Sequence, residues 1–521
     1  MSQGQESHQA ASYSQFACIG CGFSAVALGA TLKRWYGITD ICFFERQGNV
    51  GGVWFANKYP GCASDVPSAL YCLSFSPNSH WSNFLAPHDE LCQYISRVAD
   101  EYGLLQKMRF NAAVERCEWI EEKRRWRMQI CDGETGDILI HESHFLFSAA
   151  GQLVYPREPD LPGIESFRGP VFHASRWRHD IDLCNKNVVL VGNGCTATQI
   201  VPAIRDQARR VTQFMRSKHW ILPGFKMSAR VTSLVQFLCR YVPGFFYLFR
   251  FLAFLATEND MRAIYMTLAA AAFRRSTSSL AKCYIKSAAP AEYHDLLVPD
   301  FELGCKRTIL DDTGYMESLH ADNVELTDDP ILEVLPHGVR SRNGFTKADV
   351  IVLATGFETN QFLTGINVIG RHGKTVTEHW EAFGGPGAYN TTCLNGFPNF
   401  FMILGPNTGS GATSALLASE NTINYSLRII KPIIDGDAIT VDVNRGAEEL
   451  YIHQIQEDLQ RTVWSAGCSS WYNRGSKARN AMNYPFSQLH FWYRCLFPVY
   501  ADFTYEVSFQ TLGPCDTFVV G

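Results

Sequence analysis

Gly20-Cys21-Gly22-Phe23-Ser24-Ala25 follows the apolar run Phe16-Ala17-Cys18-Ile19, and Gly192-Asn193-Gly194-Cys195-Thr196-Ala197 follows Val188-Val189-Leu190-Val191. Each reads as a strand, a glycine turn and the start of a helix. Backbone N–H groups in such a turn, together with the positive end of the helix dipole, hold the pyrophosphate of a dinucleotide. Ala25 and Ala197 stand where a third glycine is usual and still allow close packing of helix on strand. About 20 residues further on, the next strand should end at the ribose of the bound nucleotide. After the first turn that position is Glu45, whose carboxylate accepts hydrogen bonds from ribose hydroxyls and repels a 2′-phosphate. After the second it is Arg216, with Ser217 beside it, and a guanidinium favours a 2′-phosphate. These residues assign FAD to Gly20, Gly22, Ala25 and Glu45, and NADPH to Gly192, Gly194, Thr196, Ala197, Gln199, Arg216 and Ser217. A chain that brings a flavin and a nicotinamide together transfers electrons.

The elements that must position these residues give an α/β chain of two Rossmann-like dinucleotide-binding domains with a helical insertion. The first unit runs from about Phe16 to Glu45 and is followed by a loop from Gly51-Gly52-Val53-Trp54 to Tyr59-Pro60-Gly61. Gly52, Val53, Trp54 and Tyr71 are counted with the cofactor-binding residues. Alternating, strand-like segments occupy about 108–148. The expected division is 1–160 for the first part of the FAD domain, 161–222 and 304–378 for the NADP domain, 223–303 for the insertion, and 379–521 for the return to the FAD domain. Within the insertion the run from Phe245 to Ala256 is very apolar, but Arg240, Pro243 and Arg250 interrupt it, and a membrane span needs about 20 apolar residues. A buried helix or the wall of a substrate tunnel is the expectation; attachment to a bilayer surface is the less favoured reading.

With 46% hydrophobic and 19% charged residues, the 521-residue chain has an ordinary globular composition. Lys and Arg number 46 against 51 Asp and Glu, a formal charge of −5, which gives no reason to expect nucleic-acid binding. Met1 to Tyr13 is polar and lacks a signal-peptide pattern, so a cytoplasmic location is expected. The 17 cysteines are odd in number and read as reduced thiols. Cys18 and Cys21 form a CxxC, but one lies in a strand and the other in a turn committed to phosphate, so neither is placed for redox chemistry. No second CxxC completes a zinc site, and no metal is expected.

Between the two turns stands Phe167-Arg168-Gly169-Pro170-Val171-Phe172-His173-Ala174-Ser175-Arg176-Trp177. It matches FxGxxxHxxxW, the fingerprint of the Baeyer–Villiger monooxygenases, and the chain resembles that family of class B flavin monooxygenases over nearly its whole length. The Gly51–Trp54 and Tyr59–Gly61 segments, Ala354-Thr355-Gly356-Phe357 and Gly405-Pro406-Asn407 fit the same family. Related N- and S-oxygenating enzymes usually carry Tyr or Phe where Trp177 stands. Arg178 follows the fingerprint where the family often has Pro or Asp.

The resemblance implies further roles. Arg307, in Gly304-Cys305-Lys306-Arg307, would lie over the flavin, with Asp65 as its carboxylate partner, and these two are the candidate catalytic residues. Lys306 would help Arg216 grip the 2′-phosphate. Trp471 would lie near the nicotinamide, and His173 would couple the domains. The implied reaction uses NADPH and O₂ to insert one oxygen atom beside a ketone carbonyl, giving an ester or lactone. Arg307 would stabilise the negative charge of that step. A bulky, apolar ketone of fungal secondary metabolism is the implied substrate class. N- or S-oxygenation on the same fold, and a disulfide-reductase-like flavoprotein, remain alternatives.

Overall fold

A computed structural model describes residues 11–225, 229–359, 361–409, 413–467 and 479–507. Trp471 lies outside them. The first sheet begins with β1 (Ser12–Ile19), then α1 (Phe23–Tyr36) and β2 (Ile41–Phe44). α2 (Val53–Ala56) and α3 (His88–Glu101) follow, then β3 (Met108–Arg109), β4 (Ala112–Ile120), β5 (Arg125–Asp132) and β6 (Ile138–Ser148). β1 pairs in parallel with β2 on one side and β6 on the other, while β4, β5 and β6 form an antiparallel meander. α1 is rich in Ala and Leu and has ten buried residues. It packs closely because Gly29 lacks a side chain, and a Cβ there would lie 2.8 Å from the Phe43 ring. Gly37 ends the helix in the left-handed conformation, its N–H bonding back to Leu32 and Lys33.

The second sheet is built from β7 (Val171–His173), β8 (Asn187–Val191), β9 (Arg210–Phe214), and two strands further on. α4 (Cys195–Ile204) follows β8, and β10 (Ile221–Pro223) leads into the insertion. The insertion contains α5 (Ala229–Tyr241), α6 (Phe245–Asp260) and α7 (Leu268–Ala288). After it come β11 (Ile309–Asp311), which pairs with β10, then β12 (Val324–Thr327), the hairpin strands β13 (Ile331–Leu335), β14 (Gly338–Ser341) and β15 (Phe345–Lys347), and β16 (Val350–Leu353). The sheet order β12-β9-β8-β16-β7 is parallel throughout. Its central strands β8 and β16 are almost continuously apolar, as strands covered on both faces require.

β17 (Asn367–Ile369) pairs with β4, and β18 (Phe400–Met402) pairs with β6. The chain is therefore back in the first sheet by Asn367, ahead of the expected boundary at 379. Fourteen described cysteines are free thiols. One further expectation is corrected. α6 is not a buried helix along its length. Only Phe246 of it is buried, while Tyr247, Leu248, Phe251, Leu252 and Leu255 are 46–59% exposed. Among the described residues no helix is long and apolar enough to cross a membrane, and no group of His, Cys, Asp and Glu could hold a metal ion.

Candidate active site

The two glycine turns are built alike. Each leaves the carboxyl end of a central strand, β1 or β8. The Gly20 N–H donates to the Phe44 carbonyl at 2.8 Å, and the Gly192 N–H to the Phe214 carbonyl at 2.9 Å. Ala149 and Ala354, at the ends of the flanking strands, donate back to Ile19 and Val191, both at 2.8 Å. Gly20 has φ +98°, and a Cβ there would lie 2.7 Å from the Ala149 carbonyl oxygen. At Gly192, φ is +137° and the Cβ would lie 2.3 Å from the Ala354 oxygen. The small residues that end β6 and β16 therefore make room for the turns. Gly22 and Gly194 cap α1 and α4, and neither helix has a side-chain cap, which leaves first-turn N–H groups to face an anion. A Cβ on Gly194 would meet nothing within 4 Å, so the turn faces open space. Both turns fit a dinucleotide pyrophosphate.

Glu45 is buried, and its carboxylate accepts from the backbone N–H groups of Cys21 at 2.8 Å and Gln47 at 2.9 Å. It braces the first turn from the end of β2. Cys18 and Cys21 are buried, and burial holds both thiols far above the ordinary thiol range. That is the reverse of a redox-active pair. Gly52 has φ +58° and approaches Gly22 so closely that a Cβ would lie 2.9 Å from the Gly22 Cα. Val53 and Trp54 begin α2 there, and the Trp54 indole N–H donates to the Tyr71 hydroxyl at 3.0 Å. Burial raises the Tyr71 phenol well above its ordinary value, with Asp65 and Arg307 within electrostatic reach.

Arg307 Nη2 lies 2.7 Å from Asp65 Oδ2. These residues come from the two nucleotide-binding parts and meet although most of the chain separates them. The same two charges act on Cys195, the first residue of α4, whose thiol burial pushes up to about 11. The pair thus sits between Tyr71, in the first cradle, and the N-terminus of the helix in the second. Around it the parts interlock. The Tyr59 hydroxyl donates to Gln199 at 2.9 Å, and Gln199 donates to the Ala63 carbonyl at 3.1 Å. Gly61 presses on α4, where a Cβ would lie 2.5 Å from the Gln199 carbonyl oxygen. Gln199, assigned to the nucleotide by sequence, joins the two domains through its side chain.

Lys306 is 7% exposed, and its Nζ lies 4.5 Å from the centre of the Phe301 ring. Burial lowers its pKa, and Arg216 lowers it further. Arg216 itself is exposed. Two cations held close with one of them buried form a natural site for a dianionic phosphate. We expect Lys306→Ala to raise the KM for NADPH about 10- to 100-fold, by loss of a charge-assisted hydrogen bond, and to leave NADH use nearly unchanged. Steady-state kinetics with both nucleotides checks this, and equal losses with each would refute it. Beneath the turn lies a network that sequence reading missed. The Tyr315 hydroxyl donates to Gln213 at 2.9 Å, and Gln213 donates to the Gly192 carbonyl at 2.9 Å and to Asn193 at 3.1 Å. Its one visible signal is a glutamine near the end of a strand, between Thr212 and Phe214.

The chain as a whole is similar to known proteins. Residues 14–239 match the family model described as flavin-binding monooxygenase-like. A Baeyer–Villiger monooxygenase of Streptomyces coelicolor is 35% identical, with 92% of this chain and 90% of the relative covered. The chain belongs to the Baeyer–Villiger monooxygenases. It is thus a flavin-dependent monooxygenase, and membership fixes FAD and NADPH as its cofactors. The FAD-binding monooxygenase ktnD of Aspergillus niger is 31% identical over 87% of this chain and 76% of its own length. The solved structure of an oxidized steroid monooxygenase bound to NADP superposes with a TM-score of 0.81 at 25% identity, covering 95% of this chain and all of that one.

The Baeyer–Villiger fingerprint takes a defined place in the fold. β7 carries Val171 to His173 along the edge of the second sheet, with His173 in register with Leu353. Gly169 is needed because a Cβ there would lie 2.4 Å from the Asp349 carbonyl oxygen. Trp177 packs edge-on against Phe172, and His173 against Phe357. The Phe357 segment is bridged to Pro156, and Arg157 N–H donates to the Gly356 carbonyl at 2.8 Å. His173 therefore touches the junction where the connector between the domains meets the end of β16.

Burial lowers the His173 imidazole from 6.5 to about 4, so it is neutral at pH 7. Between those values the unfolded chain binds the proton and the folded one does not. The stability this group contributes is fully present above about pH 6.5 and is lost as the pH falls toward 4. His173→Ala should reduce the pH 7-to-5 drop in unfolding free energy by on the order of 1–2 kcal/mol, measured by chemical denaturation. It should also lower product yield per NADPH consumed. Unchanged yield and unchanged NADPH oxidation would show that His173 does not couple the domains.

Proposed function

We propose that this enzyme converts a bulky, apolar ketone into an ester or lactone, consuming NADPH and O₂. The observation that carries this reading is the Arg307–Asp65 contact at 2.7 Å between the two cradles. Reduced flavin supplies the electrons and the site of O₂ activation when bound. The chain's own residues do the rest. Gly20, Gly22, Gly52 and Glu45 would hold the FAD backbone and ribose. Gly192, Gly194, Thr196, Lys306, Arg216 and Ser217 would hold NADPH. The Arg307 guanidinium offers fixed N–H donors and a positive charge to the oxyanion that forms when a ketone carbonyl becomes tetrahedral. Asp65 accepts from Arg307 and fixes its direction, so this charge is set before the reaction rather than reorganised during it.

Heteroatom oxygenation has no comparable need for a fixed cation, which favours the ketone reading. A bulky ketone of secondary metabolism is supported by the resemblance to fungal members and by likeness to the steroid monooxygenase named above. Aerobic incubation with NADPH and a panel of cyclic, steroidal and long-chain ketones, amines and sulfides, followed by mass spectrometry, is the test. An ester or lactone one oxygen atom heavier than its ketone is the expected product. N-oxides or sulfoxides alone would overturn the reading.

A further inference from the structure

We propose that the α5–α6 hairpin is a docking surface for an anionic lipid bilayer, on which the enzyme lies without spanning it. The two helices pack on each other, and their outward faces are apolar. On α5, Leu234, Phe237 and Tyr241 recur at helical spacing and are 55–60% exposed. On α6, the exposed side chains from Tyr247 to Leu255 form a matching stripe. The connecting turn is exposed from Tyr241 to Gly244 and presents Val242 and Pro243 at its tip. Large aliphatic and aromatic side chains grouped like this are not the scattered exposure common on soluble surfaces. The opposite face of α6 is anchored to the first domain, where the Arg250 guanidinium donates to the Cys72 carbonyl at 3.0 Å. The stripe therefore points away from the body of the enzyme.

Charge decides the occupant. From residue 229 to 257 the chain has no Asp or Glu, and Arg230 and Arg240 stand exposed at the two ends of α5. Over the whole insertion, residues 223–303, there are nine basic and six acidic side chains, in a chain whose formal charge is −5. Apolar side chains interleaved with arginine, at the tip and flanks of an amphipathic hairpin, fit the boundary between lipid headgroups and acyl chains. A second copy fits less well. A two-fold interface sets a patch against itself, and this one would then set arginines against residues 229–257 of the facing hairpin, a stretch with no carboxylate. The proposal is independent of which ketone the enzyme oxidises.

The test uses the FAD-loaded full-length enzyme and sedimentation with phosphatidylcholine vesicles, with and without phosphatidylserine. Binding should require phosphatidylserine and weaken with added salt. Each arginine replaced in Arg230→Gln and Arg240→Gln should weaken partitioning about fivefold. Phe251→Glu with Leu252→Glu should abolish it, with flavin content and NADPH oxidation retained. If that double variant loses its flavin, Tyr247→Trp replaces it, and its fluorescence should be quenched by brominated lipid. Absence of vesicle binding at low salt would overturn the proposal. So would a dimer, seen by sedimentation velocity without lipid, that Phe251→Glu dissociates.

Discussion

Arg307→Ala should still consume NADPH within a few-fold of the wild-type rate, yet lose ester or lactone formation by about 10²- to 10³-fold. The electrons should leave instead as hydrogen peroxide. The split follows from where the residue lies. Hydride delivery depends on the two dinucleotide cradles, and Arg307 forms no part of either turn. In the proposed reaction oxygen transfer depends on stabilising negative charge, and Asp65 holds the Arg307 guanidinium at 2.7 Å while it remains only 25% exposed. Partial exclusion from water strengthens its effect on a nearby oxyanion, and the ion pair fixes its direction beforehand. Asp65→Ala should show the same pattern more weakly, because the guanidinium remains but is no longer fixed. Parallel measurement of NADPH loss, peroxide release and product by mass spectrometry separates the outcomes. Product formation undiminished in Arg307→Ala would remove it from the oxygen-transfer step, and equal loss of NADPH oxidation would make it a cofactor-binding residue instead.

How much of this was legible in the sequence depends on the range of the interactions involved. The turns were legible because binding a pyrophosphate requires a strand end, a glycine and a helix start within a few residues. Their structural detail bears this out, down to the matching bonds from Gly20 to Phe44 and from Gly192 to Phe214. The meeting of Arg307 with Asp65 was inferred by resemblance, since no local pattern records a contact across most of the chain. The support from Gln213, Asn193 and Tyr315 was not legible, because it joins a strand, a turn and a later helix. α6 was misjudged for a related reason. Counting apolar residues measures a helix's demand for a partner and does not reveal what partner the fold supplies. Here the protein covers one side, through Phe246 and the Arg250 anchor, and leaves the other exposed. Glu45 shows the converse case: its place at the end of the second strand was legible, but its bond to the Cys21 N–H was not.

The second large effect is expected from adding a single methyl group to the NADPH turn. Gly192→Ala should lower NADPH affinity at least about 100-fold and destabilise the second domain, leaving FAD bound. Two costs coincide at this residue. A φ of +137° is one that a residue with a Cβ rarely adopts, and strain of that kind costs about 1–3 kcal/mol. The new Cβ would also lie 2.3 Å from the Ala354 oxygen and 2.8 Å from its carbon, both backbone atoms of the neighbouring strand. Since β16 cannot withdraw without breaking its pairing with β8, the turn must move, and the phosphate-binding N–H groups move with it. Gly194→Ala separates protein strain from nucleotide contact. Its φ is −86°, and its Cβ would meet no protein atom within 4 Å, so its cost to folding is a helix cap changed from Gly to Ala, below about 1 kcal/mol. Its methyl would project into the space assigned to the pyrophosphate. Thermal unfolding should therefore change in Gly192→Ala and hardly at all in Gly194→Ala, while the KM for NADPH rises in both. An unchanged KM in Gly194→Ala would mean that the nucleotide does not approach this turn, and the assignment of the second cradle to NADPH would fail there even if Gly192→Ala behaved as expected.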